Sequence, residues 1–79
     1  MENYELIWER ALRQLKVTVS TIAYSTYIEQ LKPIDLIGSK LILSTKSELF
    51  ASEVAKRLVD KIREALAVTG SGVTDIKLY

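Results

Sequence analysis

One proline, Pro33, limits what this 79-residue chain can become more than any other residue. It stands between two hydrophobic rhythms. Before it, Tyr24, Tyr27, Ile28 and Leu31 recur at the spacing of one helix face. After it, "PIDLIGSKLILST" reads as a β-hairpin. Ile34 and Leu36 alternate with Asp35 and Ile37, Gly38-Ser39 makes a tight turn, and Leu41, Ile42 and Leu43 form a β-favouring centre. Proline lacks the amide that would continue a helix and disfavours helical geometry at the preceding residue. The helix must therefore stop by Lys32 and extended chain must follow.

Helical patterns flank this switch. Tyr4, Ile7, Trp8, Ala11, Leu12 and Leu15 predict a first helix over 4–15, with Asn3 as its N-cap. Glu5 and Glu9 lie toward the positive end of its dipole, and Arg10, Arg13 and Lys16 toward the negative end. Leu6 falls off the buried face. The β-branched "KVTVS" reads as a break, with Ser20 capping a second helix that ends near Leu31. On that helix Ile22, Ala23 and Thr26 point away from the stripe.

The strongest pattern follows the hairpin. Ser47 predicts an N-cap, and a broad stripe from Phe50 through Val54, Leu58, Ile62 and Leu66 predicts one long third helix. Glu53 and Arg57 form a favourable i,i+4 pair, Asp60 and Glu64 an unfavourable one. Gly70 and Gly72 end the helix, and "VTDIKLY" reads as a closing strand. The order helix-helix-strand-strand-helix-strand predicts an α+β two-layer sandwich, a KH-like three-stranded sheet with helices on one face and polar alternates toward water. Residues 1–79 are expected to form a single domain, in which only about 60% of the unfolded surface is buried.

The composition removes much chemistry. The chain has no histidine and no cysteine, so it lacks the commonest acid–base group, the commonest metal ligand and any disulfide. The carboxylate pairs Glu5/Glu9 and Asp60/Glu64 sit on polar helix faces and read as solvated, whereas general acid–base work needs a pocket. "GSG" at 70–72 lacks the signature of a phosphate loop and follows a helix. No catalytic residue, metal or cofactor is expected. Eleven Lys/Arg against ten Asp/Glu leave a net charge of +1, without the basic excess of a dedicated nucleic-acid binder. The alternative of a small single-stranded nucleic-acid module rests on Lys16, Lys32, Lys40 and Lys46 with Tyr24 or Tyr27 for stacking. No apolar run approaches the roughly 20 residues of a membrane span, and the N-terminus lacks a signal-peptide core, so a cytoplasmic location is expected. Trp8 has two compatible readings, a core anchor or a half-buried anchor for a partner.

The same residues resemble the N-terminal domain of the bacterial chromosomal replication initiator DnaA. "MENYELIWERALRQLK" is similar to the family opening "MEN…LW…AL…L". "VSTIAYSTYIEQLKPIDLIGSKLIL" is similar to "LSxxxFxTWIxxLxP…G…L.L". "KSELFASEVAKRLVDKIREAL" is a weaker echo of "PNEF…W…RY…I…AL". The resemblance covers essentially the whole chain. It implies a non-catalytic protein-interaction domain that self-associates as a weak homodimer and docks the replicative helicase or regulators of initiation.

Position by position, the family tryptophan tied to self-association matches Trp8. The acid that contacts helicase in some members is replaced by Ala23. The "PN" before the third helix falls at Lys46-Ser47, the following Phe at Leu49, and the third-helix Trp at Glu53. The scaffold is kept and the contact residues are altered, as in a divergent initiator or a stand-alone relative. The expected protein-binding residues are Trp8, Ile22, Ala23, Thr26, Ser47 and Leu49. Weak single-stranded DNA binding is the further expectation, and no membrane partner is expected.

Overall fold

A computed structural model describes residues 3–79. Met1 and Glu2, which begin the matched opening, lie outside the described residues. Helices α1 (Tyr4–Thr18) and α2 (Thr21–Thr26) lead through a 3₁₀ turn (Ile28–Gln30) into strands β1 (Lys32–Ile37) and β2 (Lys40–Ser44). Helices α3 (Glu48–Arg57) and α4 (Val59–Val68) then lead to β3 (Asp75–Leu78). The sheet order is β1-β2-β3, antiparallel between β1 and β2 and parallel between β2 and β3. The expected α+β architecture is the observed one.

Polar side chains mark three helix starts. Asn3 Oδ1 accepts from the Glu5 amide at 2.7 Å, Ser20 Oγ from Ala23 at 3.1 Å, and Ser47 Oγ from Phe50 at 3.2 Å. Each satisfies one amide that has no partner within its helix. Pro33 acts as its chemistry requires, since Leu31 is already extended before it. Gly38, with φ +61°, opens the hairpin turn in the left-handed region, as a type II′ turn demands of its first central residue.

The helices depart from the sequence pattern in three places. α1 continues through Lys16, Val17 and Thr18, because β-branching lowers helix propensity only slightly. The second helix is α to Thr26 and then tightens to 3₁₀, in which residues three apart eclipse. That winding buries Ile28 and Leu31 together. The third helix is two helices, bent at Leu58, although neither proline nor glycine stands there. Leu58 leaves helical geometry there, with φ −120° and ψ −10°. The bend turns Val54 and Leu58 on one side, and Ile62 and Leu66 on the other, onto the same core.

The core lies between the helices and one face of the sheet. Ile7, Trp8, Ala11 and Leu15 of α1 meet Ile62, Ala65 and Leu66 of α4 over Leu41, Leu43 and Ile76 of the sheet. Fully burying one such aliphatic side chain contributes about 1.5–3 kcal/mol. Val73, which the sequence pattern did not mark as core, is buried too. The Thr69 hydroxyl donates to the Leu66 carbonyl at 2.6 Å and lies 2.8 Å from Ser71 Oγ, which accepts from the Val73 amide at 3.4 Å. This chain of bonds holds the turn that delivers Val73 inward.

Candidate protein-docking surface

The start of α3 sits beside the end of α2. The Tyr27 and Phe50 rings meet there, with centroids 5.3 Å apart and planes tilted by 46°. Both rings are half-buried and pack against the core. The helices that carry them also display what the core does not take. Ile22, in the first turn of α2, is 79% exposed, and Leu49, one residue before Phe50, is 75% exposed. Thr26 of α2 and Lys46, Ser47 and Glu48 at the start of α3 are exposed as well. Exposed apolar side chains with polar neighbours are the make-up of a protein contact with an apolar centre and a wet rim.

Of the six residues expected to bind a partner, Ile22, Thr26, Ser47 and Leu49 are exposed on these two helices. Ala23 is half-buried against the core, because the short α2 turns that side inward. Trp8 is 3% exposed and belongs to the core. Its half-buried reading is therefore corrected. α1 faces both α4 and β1, and Trp8 is a member of the core cluster, so it offers no face of its own.

The residues proposed for nucleic-acid stacking are already engaged. Tyr27 is held by Phe50, and Lys16 Nζ lies 5.8 Å from the Tyr24 ring centroid in a cation–π contact. Burial, and secondarily the charge of Glu29, push the Tyr24 hydroxyl pKa above its ordinary value. Lys32 and Lys40 stand at opposite ends of the hairpin, since Lys32 pairs with Ser44 and Lys40 with Ile37. The four lysines do not form one patch. Among the described residues, no three acidic side chains gather to hold a metal ion, and no helix is long and apolar enough to cross a membrane.

The sequence reading missed the other face of the sheet. A bulge between Pro33 and Asp35 shifts the β1 register, so Ile34 stands on the outer side with Ile37. Ile42 lies on that side too, because Leu41 and Leu43 take the inward positions on β2, but it is itself only 7% exposed. A signal was present in the unbroken apolar run 41–43, in which one residue had to face outward.

These features describe a small α+β scaffold that offers exposed apolar side chains. The chain belongs to the DnaA N-terminal domain family, which matches residues 5–68. It is similar to the chromosomal replication initiator protein DnaA of Thermoanaerobacter sp. (strain X514), with 25% identity over 76 residues. That of Thermoanaerobacter pseudethanolicus (strain ATCC 33223 / 39E) gives the same identity over the same length. The match takes in 96% of this chain and only 17% of each of these relatives.

Proposed function

We propose that residues 1–79 act as one non-catalytic protein-interaction domain in bacterial DNA replication initiation, in the cytoplasm. The family membership supports the setting. The observation that carries the mechanism is the exposure of Ile22 on α2 and Leu49 on α3, segments that the Tyr27–Phe50 contact joins. Large aliphatic side chains gain free energy when a partner covers them. The capped start of α3 and the ring contact behind it hold them in place before any partner arrives, so little ordering entropy opposes docking. The partner would be the replicative helicase or a regulator of initiation, seated across α2 and the first turn of α3.

The experiment is a binding titration against the cognate helicase and initiation regulators. Ile22→Asp and Leu49→Asp, each placing a charge in the apolar centre, are expected to weaken binding at least tenfold while the melting temperature holds. Undiminished binding by both variants would sink this surface.

A further inference from the structure

Helices α1 and α4 pack against each other, and at the C-terminal end of α4 they leave a groove of about 400 Å³. That volume lies in the range of ligand clefts. Its two sides differ in character. α1 contributes Arg10, Arg13 and Gln14, and the end of α4 contributes Val68 and Thr69. Both arginines are exposed, and Val68 is 67% exposed. None of the described residues that line the groove is acidic or aromatic. The fold makes little use of Arg13, which enters no ion pair among the described residues. The Leu66 and Ala67 carbonyls in the last turn of α4 accept from the Thr69 and Gly70 amides, so neither calls for a cation. Arg10 and Arg13 stand three residues apart on α1, where like charges repel and an anion between them would relieve the repulsion.

We propose that this groove takes an extended acidic segment of another protein, one in which carboxylates alternate with aliphatic side chains. Successive side chains of an extended chain point to opposite faces, so every second one, about 7 Å along, lies on the same side. Laid between the two helices, the acidic side of such a segment meets Arg10 and Arg13, whose Cβ atoms are about 5–6 Å apart at that spacing. Its aliphatic side covers Val68. A guanidinium can hold a carboxylate by two parallel hydrogen bonds, which fixes the register of the segment. A phosphodiester strand would meet the same arginines, but its bases would find no aromatic ring among the described lining residues on which to stack. The groove shares no residue with the α2–α3 surface, so the two stand or fall separately.

The test titrates the isotope-labelled chain with a short synthetic peptide of alternating Glu and Leu, read by amide NMR shifts. The shifts should centre on Arg13, Gln14, Val68 and Thr69. They should saturate with a dissociation constant of about 0.1–1 mM, since the contact is much smaller than a standard interface. A peptide of alternating Gln and Leu should bind at least tenfold more weakly. Arg13→Glu should weaken binding of the acidic peptide at least tenfold and should bind a Lys–Leu peptide more tightly than the parent does. Val68→Ser should weaken the acidic peptide about fivefold, through loss of a covered aliphatic side chain. Circular dichroism checks the fold of both variants, whose altered positions are exposed, and the Gln–Leu peptide still decides should either unfold. Equal binding of the Gln–Leu and Glu–Leu peptides overturns the proposal. So does an acidic peptide that leaves these amides unmoved at about 2 mM, or one whose shifts centre on Ile22 and Leu49. An oligothymidylate that moves the same amides at lower concentration than the peptide also overturns it, and gives the groove to nucleic acid.

Discussion

Arg63 of α4 donates its Nε–H to Asp75 Oδ1 at the start of β3, at 3.0 Å. The same guanidinium lies 3.7 Å from Asp60, one turn back on its helix. Sequence spacing suggested a repulsive Asp60/Glu64 pair. In the fold Arg63 offsets that acid and ties the last helix to the last strand. Asp75 Oδ1 also accepts from the Ile76 amide at 2.8 Å, so both contacts bear on the point where β3 enters the sheet.

The Asp75 carboxyl is held below its ordinary pKa, first by the Ile76 amide and then by the bond from Arg63. A carboxylate with a lowered folded-state pKa binds its proton more readily in the unfolded chain. Its stabilising contribution is thus complete above the unfolded value of about 4 and is lost as pH falls through the folded value. Thermal melts of the parent and Asp75→Asn from pH 6 to pH 2 should show the parent ahead at the higher pH and the gap narrowing below pH 4. A gap that stays constant would remove this linkage.

Trp8 is the single tryptophan and is buried. Its fluorescence should be blue-shifted in the folded chain and poorly quenched by iodide, moving red only on unfolding. Trp8→Ala should cost about 3–5 kcal/mol, the usual cost of deleting a large buried aromatic side chain. That is a large share of the stability of so small a domain. Any loss of binding in that variant would follow from unfolding, whereas Trp8→Phe should retain both fold and binding. Chemical denaturation of the two variants separates these outcomes.

Ser47→Ala removes the acceptor for the Phe50 amide at the start of α3. The expected destabilisation is about 1 kcal/mol, while Ser47→Asp, which keeps the acceptor and suits the helix dipole, should match the parent. Because Leu49 and Phe50 ride on that first turn, Ser47→Ala should also weaken partner binding modestly. Urea titrations beside the binding assay check both.

Leu43→Ala and Leu49→Ala form a contrasting pair. Leu43 is wholly buried and Leu49 largely exposed. The first should cost about 2–5 kcal/mol through lost burial and a cavity, the second within about 0.5 kcal/mol. Equal midpoints in denaturant would contradict the packing described above.

Much of this molecule was legible as a string of residues. Pro33 marked where helix yields to strand, Gly38 marked the turn, and Asn3, Ser20 and Ser47 marked helix starts, because each acts through bonds within a few residues of itself. The exposure of Ile22 also followed from spacing alone, since a helix face is a local property.

Four features depended on distant contacts. The bend at Leu58 goes with α3 and α4 each turning apolar side chains onto the same core. The burial of Trp8 belongs to the shared core, which several elements build together. The ion pair of Arg63 with Asp75 joins residues that only the crossover to β3 brings together. The outer face of the sheet needs three strands in register and a bulge that turns Ile34 outward. Hydrogen-bond chemistry and hydrophobic period therefore set the element types from sequence alone. Which faces end up covered, and which remain open to a partner, was decided by how those elements share one small core.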